Sequence, residues 1–350
     1  MNSQQIAHIR LQQQQMGNTQ LTSPAALVEW MGCIQAQDYA GAKWAIGNRI
    51  PGSTDAAIEK DFNNGQFLRT HILRPTWHFV SPQDIHWMLQ LTAPKIKAFN
   101  KNLHVKLGIS DKDLRQSKTI IGKALSNETF LTRSALKPLL TKAKINTDDI
   151  RLGFLLMDAE LDGLICSGPR QGKQFTYALL SDRAPAPTPL DRDEAIARLT
   201  HRYFSSHGPA TVNDFQWWSG LNMTDIRKGL LLNKQALTHM VANGQAYWFP
   251  AALTLNPAPR VSAFLLPTYD EYTVAYKDRS DILPPTLNAA AGYGIFKPVI
   301  VVNGQITGIW SRKEAGRQVV VDTQLLKKQK NASRAINAAI QSYKTFMGNA

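Results

Sequence analysis

The sequence predicts an α+β fold, because helical segments joined to hairpins are followed by a strand-rich carboxyl-terminal region. Residues 148–161 carry a helical stripe of leucines, and two short strands then flank a loop containing Arg170 and Lys173. A later group of helices leads to a hairpin signal at residues 243–244, Asn-Gly. Two helices followed by a hairpin with a cationic tip are the parts of a winged helix.

The first region of the chain alternates helix and strand signals. A helix is predicted for residues 23–34, which places Cys33 on it, and Asp38 is a suitable N-cap for the next helix. Residues 67–80, FLRTHILRPTWHFV, are rich in β-branched and aromatic residues and are predicted as a strand. Pro75 interrupts that strand or confines it to a sheet edge.

The remaining elements are predicted in a regular order. Helices at 129–140 and 148–161 precede strands at 164–167 and 175–180, and a second group of helices covers 193–206, 212–219 and 224–231. After residue 257 the predicted elements are strands at 297–302, 305–310 and 318–322, with a closing helix at 327–347. The first two of these strands flank Asn303-Gly304, the strongest short hairpin signal in the chain.

Charge is the first indication of a partner. The 350 residues include 40 Lys and Arg against 26 Asp and Glu, a net charge of +14, and this length suits two or three domains. The positive field favours a polyanion such as DNA or RNA, although a soluble basic enzyme would show the same balance. No apolar run is long enough to span a bilayer, and the amino terminus lacks an apolar signal region. The two cysteines show no pairing pattern, so we expect a reduced, cytoplasmic protein.

Several enzyme classes lose support because their motifs are missing. The sequence has no GxGxxG, Walker lysine loop, HExxH or GxSxG, and its eight histidines are not at ligand spacings with carboxylates. We therefore expect neither a metal nor a cofactor. Cys33 has an apolar neighbourhood and is expected to be buried and inert rather than a nucleophile.

Gln35 and Gln37 form the most informative polar pair. Residues at i and i+2 point about 200° apart on a helix but to the same side of an extended segment. This pair lies at a predicted junction between two helices, so both side chains can project into one cavity. A solvated turn would use the same residues.

The IQAQD segment around these glutamines resembles the QxQ motif of the alkylpurine DNA glycosylases of the AlkZ/YcaQ type, a bacterial winged-helix family. Four further stretches resemble family motifs in the same order: residues 67–80, GLICSGPRQGKQFTYALL at 163–180, GPATVNDFQWWSGL at 208–221 and LLPTYDEYTVAYKDRS at 265–280. The likeness extends over about residues 5–345. Pro75 departs from it, since many relatives have glycine there.

The resemblance implies three tandem winged helices followed by a carboxyl-terminal β-barrel, around a DNA channel. The corresponding segments are residues 1–115, 116–185, 190–255 and 256–350. It also implies monofunctional hydrolysis of the N-glycosidic bond of N7-alkylated purines in double-stranded DNA. Glutamine at both motif positions is similar to the branch that resists crosslinks and bulky natural-product adducts. We expect a monomer, because no dimerisation helix of heptad type is present. We also expect it to be associated with the nucleoid.

The motifs and the predicted positions of their residues give the candidate site residues. Gln35 and Gln37 are expected to hold the attacking water, with Gln37 the more critical. The candidate DNA-binding residues are Arg69, Arg74, His78, Arg170, Lys173, Tyr269, Asp270, Lys277 and Arg279.

Structural roles compete with these assignments. Arg69 and Arg74 would equally suit contacts with structural carboxylates, and a solvated loop would also explain Arg170 and Lys173. Asp270 has the alternative of capping a helix or pairing with a nearby basic side chain, Lys277 or Arg279. The Asn303-Gly304 hairpin fits either a probe of the DNA groove or an ordinary barrel turn, and Trp217 and Trp218 are expected in the core.

Two other functions compete with a glycosylase. A non-catalytic winged-helix regulator or architectural DNA-binding protein would explain the charge and the hairpins, but not the paired glutamines. An RNA-binding protein is disfavoured because no RNP1-like, KH or RGG signal occurs.

Overall fold

The computed structural model describes residues 1–17, 19–148, 150–186, 190–254, 261–315, 318–329 and 331–348. The chain divides into two compact units, unit 1 with residues 1–59 and 196–350 and unit 2 with residues 60–195. The first predicted segment, residues 1–115, contributes to both units. Within the described ranges, no helix has the length and apolar character that crossing a membrane requires.

Helices and strands are mixed along the chain, which confirms the α+β prediction. The described helices are α1 (Ser3–Gln13), α2 (Pro24–Met31), α3 (Tyr39–Gly47), α4 (Asp55–Asn63), α5 (Ile85–Lys106), α6 (Asp111–Asn127), α7 (Arg133–Lys142), α8 (Arg151–Leu161), α9 (Leu180–Arg183), α10 (Arg192–His207), α11 (Val212–Ser219), α12 (Met223–Leu232), α13 (Glu271–Val274) and α14 (Ser333–Phe346). The described strands are β1 (Cys33–Gln35), β2 (Leu68–His71), β3 (Trp77–Val80), β4 (Leu131–Thr132), β5 (Ile165–Ser167), β6 (Thr176–Leu179), β7 (Leu237–Ala242), β8 (Gln245–Pro250), β9 (Ala263–Leu266), β10 (Val299–Val302), β11 (Gln305–Ala315) and β12 (Gln318–Leu325).

In unit 2, helices α6, α7 and α8 pack against a three-stranded sheet in the order β4-β6-β5. The helix predicted from residue 129 begins later, because Leu131 and Thr132 form β4 and the Thr132 side chain caps α7 by accepting from Ala135 N (3.1 Å). The strands predicted at 164–167 and 175–180 are confirmed as β5 and β6. The core of this layer is apolar and includes Ile121, Leu125, Leu136, Leu140, Leu152, Leu155, Leu156 and Ile165.

The segment 67–80 is a β-hairpin rather than one interrupted strand. Strands β2 and β3 pair antiparallel, with Thr70 opposite His78. The chain reverses in the connection, where Leu73 adopts a left-handed φ of 62° and Pro75 follows. The predicted interruption at Pro75 is therefore correct, and its cause is a turn.

Helices α10, α11 and α12 confirm the second predicted group, and β7 and β8 confirm the hairpin that follows it. Asn243 and Gly244 have φ values of 50° and 73°. Both values are positive, as the central residues of a type I′ turn require. The turn type thus explains why this dipeptide predicted the hairpin.

The carboxyl-terminal strands form a four-stranded antiparallel sheet in the order β12-β11-β10-β9, which curls into a half-barrel. Asn303 and Gly304 connect β10 to β11 with φ values of 49° and 81°. A Cβ atom on Gly304 would lie 2.9 Å from Ala7 Cβ, so this turn is packed against α1. The closing helix, α14, begins at Ser333, later than predicted.

The helix predicted for residues 23–34 ends early. Ser23 caps α2, but Gly32 has a φ of 78° and ends the helix after Met31. Cys33 is therefore on β1, and its predicted place on a helix is wrong. The side chain is fully buried, as expected for an inert cysteine.

Arg10, on α1, is fully buried among acidic and aromatic groups. Its Nη2 lies 3.9 Å from Asp214 Oδ2 and 3.7 Å from Asp281 Oδ2, and its Nε donates to Pro209 O (2.9 Å). The guanidinium carbon is 3.8 Å from the centre of the Tyr276 ring. Burial lowers the pKa of Arg10, but Tyr276 and the two carboxylates outweigh burial, so the net shift is upward.

Replacing this arginine, Arg10→Met, leaves Asp214 and Asp281 buried without their cation. We expect the free energy of unfolding to fall by about 3–5 kcal/mol, measured by urea denaturation. The control Lys313→Met removes an exposed ion pair with Asp322 (3.5 Å) and is expected to cost less than about 1 kcal/mol. Equal urea midpoints for the two variants would contradict this account.

Candidate active site

The glutamine segment connects β1 to α3. Asp38 caps α3 by accepting from Gly41 N through Oδ1 (3.1 Å), which fixes where the helix begins. Gln35 is only 6% exposed, whereas Gln37 is exposed. The two glutamines therefore differ in their access to solvent, and Gln37 is the one a bulky ligand can reach.

A buried carboxylate, that of Glu271, holds the start of this segment. Gln35 N donates to Glu271 Oε1 (2.7 Å), and Trp218 Nε1 donates to Glu271 Oε2 (3.0 Å). Glu271 and Trp218 are both fully buried. Hydrogen bonds to an ionised acceptor are among the stronger ones in proteins, so they fix the backbone at Gln35 firmly.

His207 lies on the other side of the same carboxylate. Its Nε2 atom is 3.5 Å from Glu271 Oε2, its Nδ1 is 2.8 Å from Ser206 Oγ, and its ring stacks on that of Tyr203 with centres 5.0 Å apart. Burial lowers the pKa of His207, although Glu271 opposes the shift. The imidazole is therefore neutral at neutral pH, and Glu271 receives no countercharge from it.

The end of the glutamine segment is held by Thr268, from the same stretch of chain as Glu271. Thr268 Oγ1 donates to Asp38 Oδ2 (2.9 Å). A Cβ atom on Gly41 would lie 3.1 Å from Pro267 Cβ, so the two stretches approach closely. Residues 267–271 thus contact both ends of the segment from Gln35 to Asp38.

Asp270 is bound to Arg49. Its two carboxylate oxygens accept from Arg49 Nη1 (2.9 Å) and Nη2 (2.8 Å), and Arg49 Nη2 also donates to Gln14 Oε1 (2.8 Å). Asp270 caps α13 by accepting from Tyr272 N (2.9 Å), so the capping alternative is confirmed. The other alternative, pairing with Lys277 or Arg279, is not observed, because Arg49, just after α3, donates to both oxygens. Asp270 is itself buried, and both of its carboxylate oxygens accept hydrogen bonds from Arg49.

Lys277 and Arg279 lie in the loop after α13. Lys277 is exposed, and its backbone N donates to Asp214 Oδ1 (2.9 Å). Arg279 Nε donates to Thr273 O (2.7 Å), and its guanidinium carbon lies 5.9 Å from the Trp217 ring centre. Trp217 is 42% exposed, so its predicted place in the core is wrong, whereas the core prediction for Trp218 is confirmed.

In unit 2, two predicted DNA-binding arginines meet at one aromatic ring. The guanidinium carbon of Arg69 lies 4.5 Å from the Phe175 ring centre, and that of Arg170 lies 4.2 Å from it. Arg69 also lies 4.3 Å from the Trp77 ring centre. Arg170 Nη2 donates to Lys173 O (2.6 Å), which braces the loop, while the Lys173 side chain is exposed.

The remaining two candidates differ in exposure. Arg74 lies in the β2–β3 connection and is partly exposed. His78 is fully buried on β3, with Nδ1 2.9 Å from Thr76 O. A side chain buried to this extent is better suited to holding the hairpin than to direct contact with DNA.

Sequence reasoning missed the residues that hold the glutamines. Glu271 and Thr268 lie at residues 268–272, TYDEY, where the predicted site residues were their neighbours Tyr269 and Asp270. The signal available in the sequence was the second acid directly after Asp270, which requires a buried or solvent-exposed partner of its own. Among the residues that the structure describes, no group of three or more His, Cys, Asp or Glu is placed to hold a metal ion.

Comparison with known proteins identifies the family. Residues 28–346 match the family model described as DNA glycosylase AlkZ-like. An interstrand DNA cross-link repair glycosylase of Streptomyces sahachiroi is 22% identical over 324 residues, covering 87% of this chain and 86% of that protein. The solved structure of Streptomyces sahachiroi DNA glycosylase AlkZ has the same fold, with a TM-score of 0.82 at 21% identity, and the match covers 99% of this chain and 97% of that one. The family match spans most of the sequence, so this chain belongs to the AlkZ-like family of DNA glycosylases.

Proposed function

We propose that this DNA glycosylase is monofunctional and hydrolyses the N-glycosidic bond of N7-alkylated purines with a water held by Gln35 and Gln37. The observation that carries the proposal is the anchoring of this segment. Glu271 binds the backbone of Gln35 (2.7 Å), and Thr268 binds Asp38 (2.9 Å) at the other end. A segment held at both ends presents its side chains in a fixed geometry.

The chemistry suits neutral amides. Alkylation at N7 makes the purine cationic, so the base is already a good leaving group and needs no general acid. What remains is to place a water against the sugar as positive charge develops there. An amide oxygen accepts a hydrogen bond from that water, and its NH₂ fixes the amide's own orientation. Positioning of this kind supplies about 7–11 kcal/mol in favourable cases.

The two glutamines have different parts in this proposal. Gln37 is exposed, so we assign it the direct contact with the water. Gln35 is buried and tied to Glu271, so it completes the water's position from within. Glu271 acts through Gln35 and is a positioning residue.

We extend the proposed substrates to bulky adducts and interstrand crosslinks in double-stranded DNA. The relative from Streptomyces sahachiroi is named for cross-link repair, and its sequence matches most of this chain. The paired glutamines, the same motif that suggested the crosslink branch, support this assignment. A crosslinked base remains attached to the opposite strand, so the substrate would be recognised by shape in a wide channel rather than in a tight pocket.

The proposed DNA contacts are mainly cationic and act on phosphates. Lys173, Lys277 and Arg74 are exposed or partly exposed and are assigned direct contacts. Arg170 is partly exposed and Arg69 is buried (7% exposed), and both guanidinium groups lie against the Phe175 ring, which orients them. We propose that the protein binds DNA as a monomer in the nucleoid.

We also propose the finer architecture, three winged helices in residues 1–115, 116–185 and 190–255. The order of α6, β4, α7, α8, β5 and β6 supports it for the second segment, and that of α10, α11, α12, β7 and β8 supports it for the third. In both segments the helices precede a hairpin, the part that a winged helix places against DNA.

The variant Gln37→Ala is expected to lose excision, because the water loses its direct acceptor. The measurement is single-turnover release of N7-methylguanine from a duplex, with alkali cleavage reporting abasic sites. We expect the rate to fall on the order of 10²-fold. The control Gln341→Ala removes an exposed glutamine of α14 and should leave the rate unchanged. Excision by Gln37→Ala at the rate of the unmodified protein would refute the assignment.

The variant Lys173→Ala is expected to weaken binding to undamaged duplex and to change its salt dependence. Each phosphate contact releases condensed counterions, so the slope of log K against log salt should become shallower by about 1. The control Lys123→Ala removes an exposed lysine of α6 in the same unit. The control should keep the original slope. If Lys173→Ala keeps it as well, Lys173 does not contact phosphate.

A further inference from the structure

Tyr269 and Phe296 form an exposed aromatic pair, and Tyr293 is a further exposed ring three residues before Phe296. We call these three residues the aromatic patch. Phe296 is 64% exposed and Tyr293 is 56% exposed, while Tyr269 is partly exposed. The rings of Tyr269 and Phe296 meet edge to face, with centres 6.3 Å apart. Tyr269 N donates to Ile295 O (3.3 Å), which ties the two stretches of chain together.

Two members of the patch have unusual backbone conformations. Tyr269 has a φ of 61° and Tyr293 a φ of 55°. Bulky residues rarely adopt positive φ, and glycine would adopt it without strain. Strained residues of this kind persist where the surroundings hold them, and they cluster at ligand sites. Tyr269 and Tyr293 therefore carry aromatic rings at positions where the backbone conformation favours glycine.

The patch is continuous with the stretch that holds the glutamines. Tyr269 directly follows Thr268, which binds Asp38, and it precedes Glu271, which binds Gln35, by two residues. The same turn of chain thus supports the glutamine segment and carries an exposed aromatic ring. A base whose sugar is attacked by a water at Gln37 would lie within the neighbourhood of this turn.

We propose that the aromatic patch stacks on the cationic N7-alkylated purine and so distinguishes it from undamaged bases. This inference rests on the proposed function of the glutamines. Base stacking on aromatic side chains tolerates any sequence, because every base has a π-face. The faces of Tyr and Phe rings are negative, so a purine with a positive charge is attracted more strongly than a neutral one. The affinity of the patch for a base accordingly depends on the charge of the base rather than on its identity.

The test compares two duplexes of the same shape. One carries a 2′-fluoro N7-methylguanine, which is cationic and resists hydrolysis, and the other carries the neutral 7-methyl-7-deazaguanine. Competition binding gives the ratio of the two affinities. We expect the unmodified protein to prefer the cationic base by about 5-fold or more. Equal affinity for the two duplexes would overturn the proposal.

Variants locate the preference. Phe296→Leu and Tyr269→Leu keep apolar side chains without a π-face, and each should lower the ratio of the two affinities toward 1. Tyr269→Phe keeps the ring and should keep the ratio. If both leucine variants retain the original ratio, the patch does not stack on the damaged base. Because Phe296 is largely exposed, its variant decides the question should Tyr269→Leu fail to fold.

The binding ratio is independent of the hydrolytic step. Gln37→Ala is expected to keep the preference for the cationic base while losing excision. If Gln37→Ala excised at the original rate, the water assignment would fail. The ratio of affinities for the cationic and neutral duplexes would still test the stacking proposal. If the ratio alone failed, the glutamine assignment would stand.

Discussion

The carboxylate of Glu271 is the constraint on which the candidate active site depends. A buried charge is costly unless donors surround it, and here one donor is the backbone N–H of Gln35 and another is the indole of Trp218. His207, whose pKa is lowered by burial, lies 3.5 Å away and supplies no positive charge to the carboxylate at neutral pH. Moving the backbone at Gln35 would deprive the buried carboxylate of a donor. The hydrogen bonding of Glu271 therefore fixes the position of the glutamine segment.

The polar interior of unit 1 extends this constraint. Arg49 binds Asp270, the neighbour of Glu271, and Arg10 lies between Asp214 and Asp281. These two arginines come from the first 59 residues, and their three carboxylate partners come from the part after residue 196. Removing either partner would leave an uncompensated charge, which is far more costly than losing a surface ion pair. The charges thus join the glutamine segment to the carboxyl-terminal half of the chain.

Local signals predicted much of the fold, and long-range contacts account for most of what they missed. The Asn-Gly turn at 243–244 was predictable because two adjacent positive φ values define it. The helix through Cys33 was wrong because a glycine with positive φ ends it early. The glutamine pair was found from its spacing and motif, but the partner of Asp270 lies 221 residues away and that of Glu271 lies 236 residues away. No periodicity within either segment encodes such pairings.

The most direct test of this account is the single-turnover excision rate of Glu271→Gln on a duplex with one N7-methylguanine. The substitution keeps the size of the side chain but removes its charge and puts an NH₂ group where one of two acceptors stood. We predict a rate lower on the order of 10²-fold, with unchanged affinity for undamaged duplex and a urea midpoint showing that the variant is folded. A folded Glu271→Gln protein that excises the base at the original rate would contradict the claim that this carboxylate positions the glutamines.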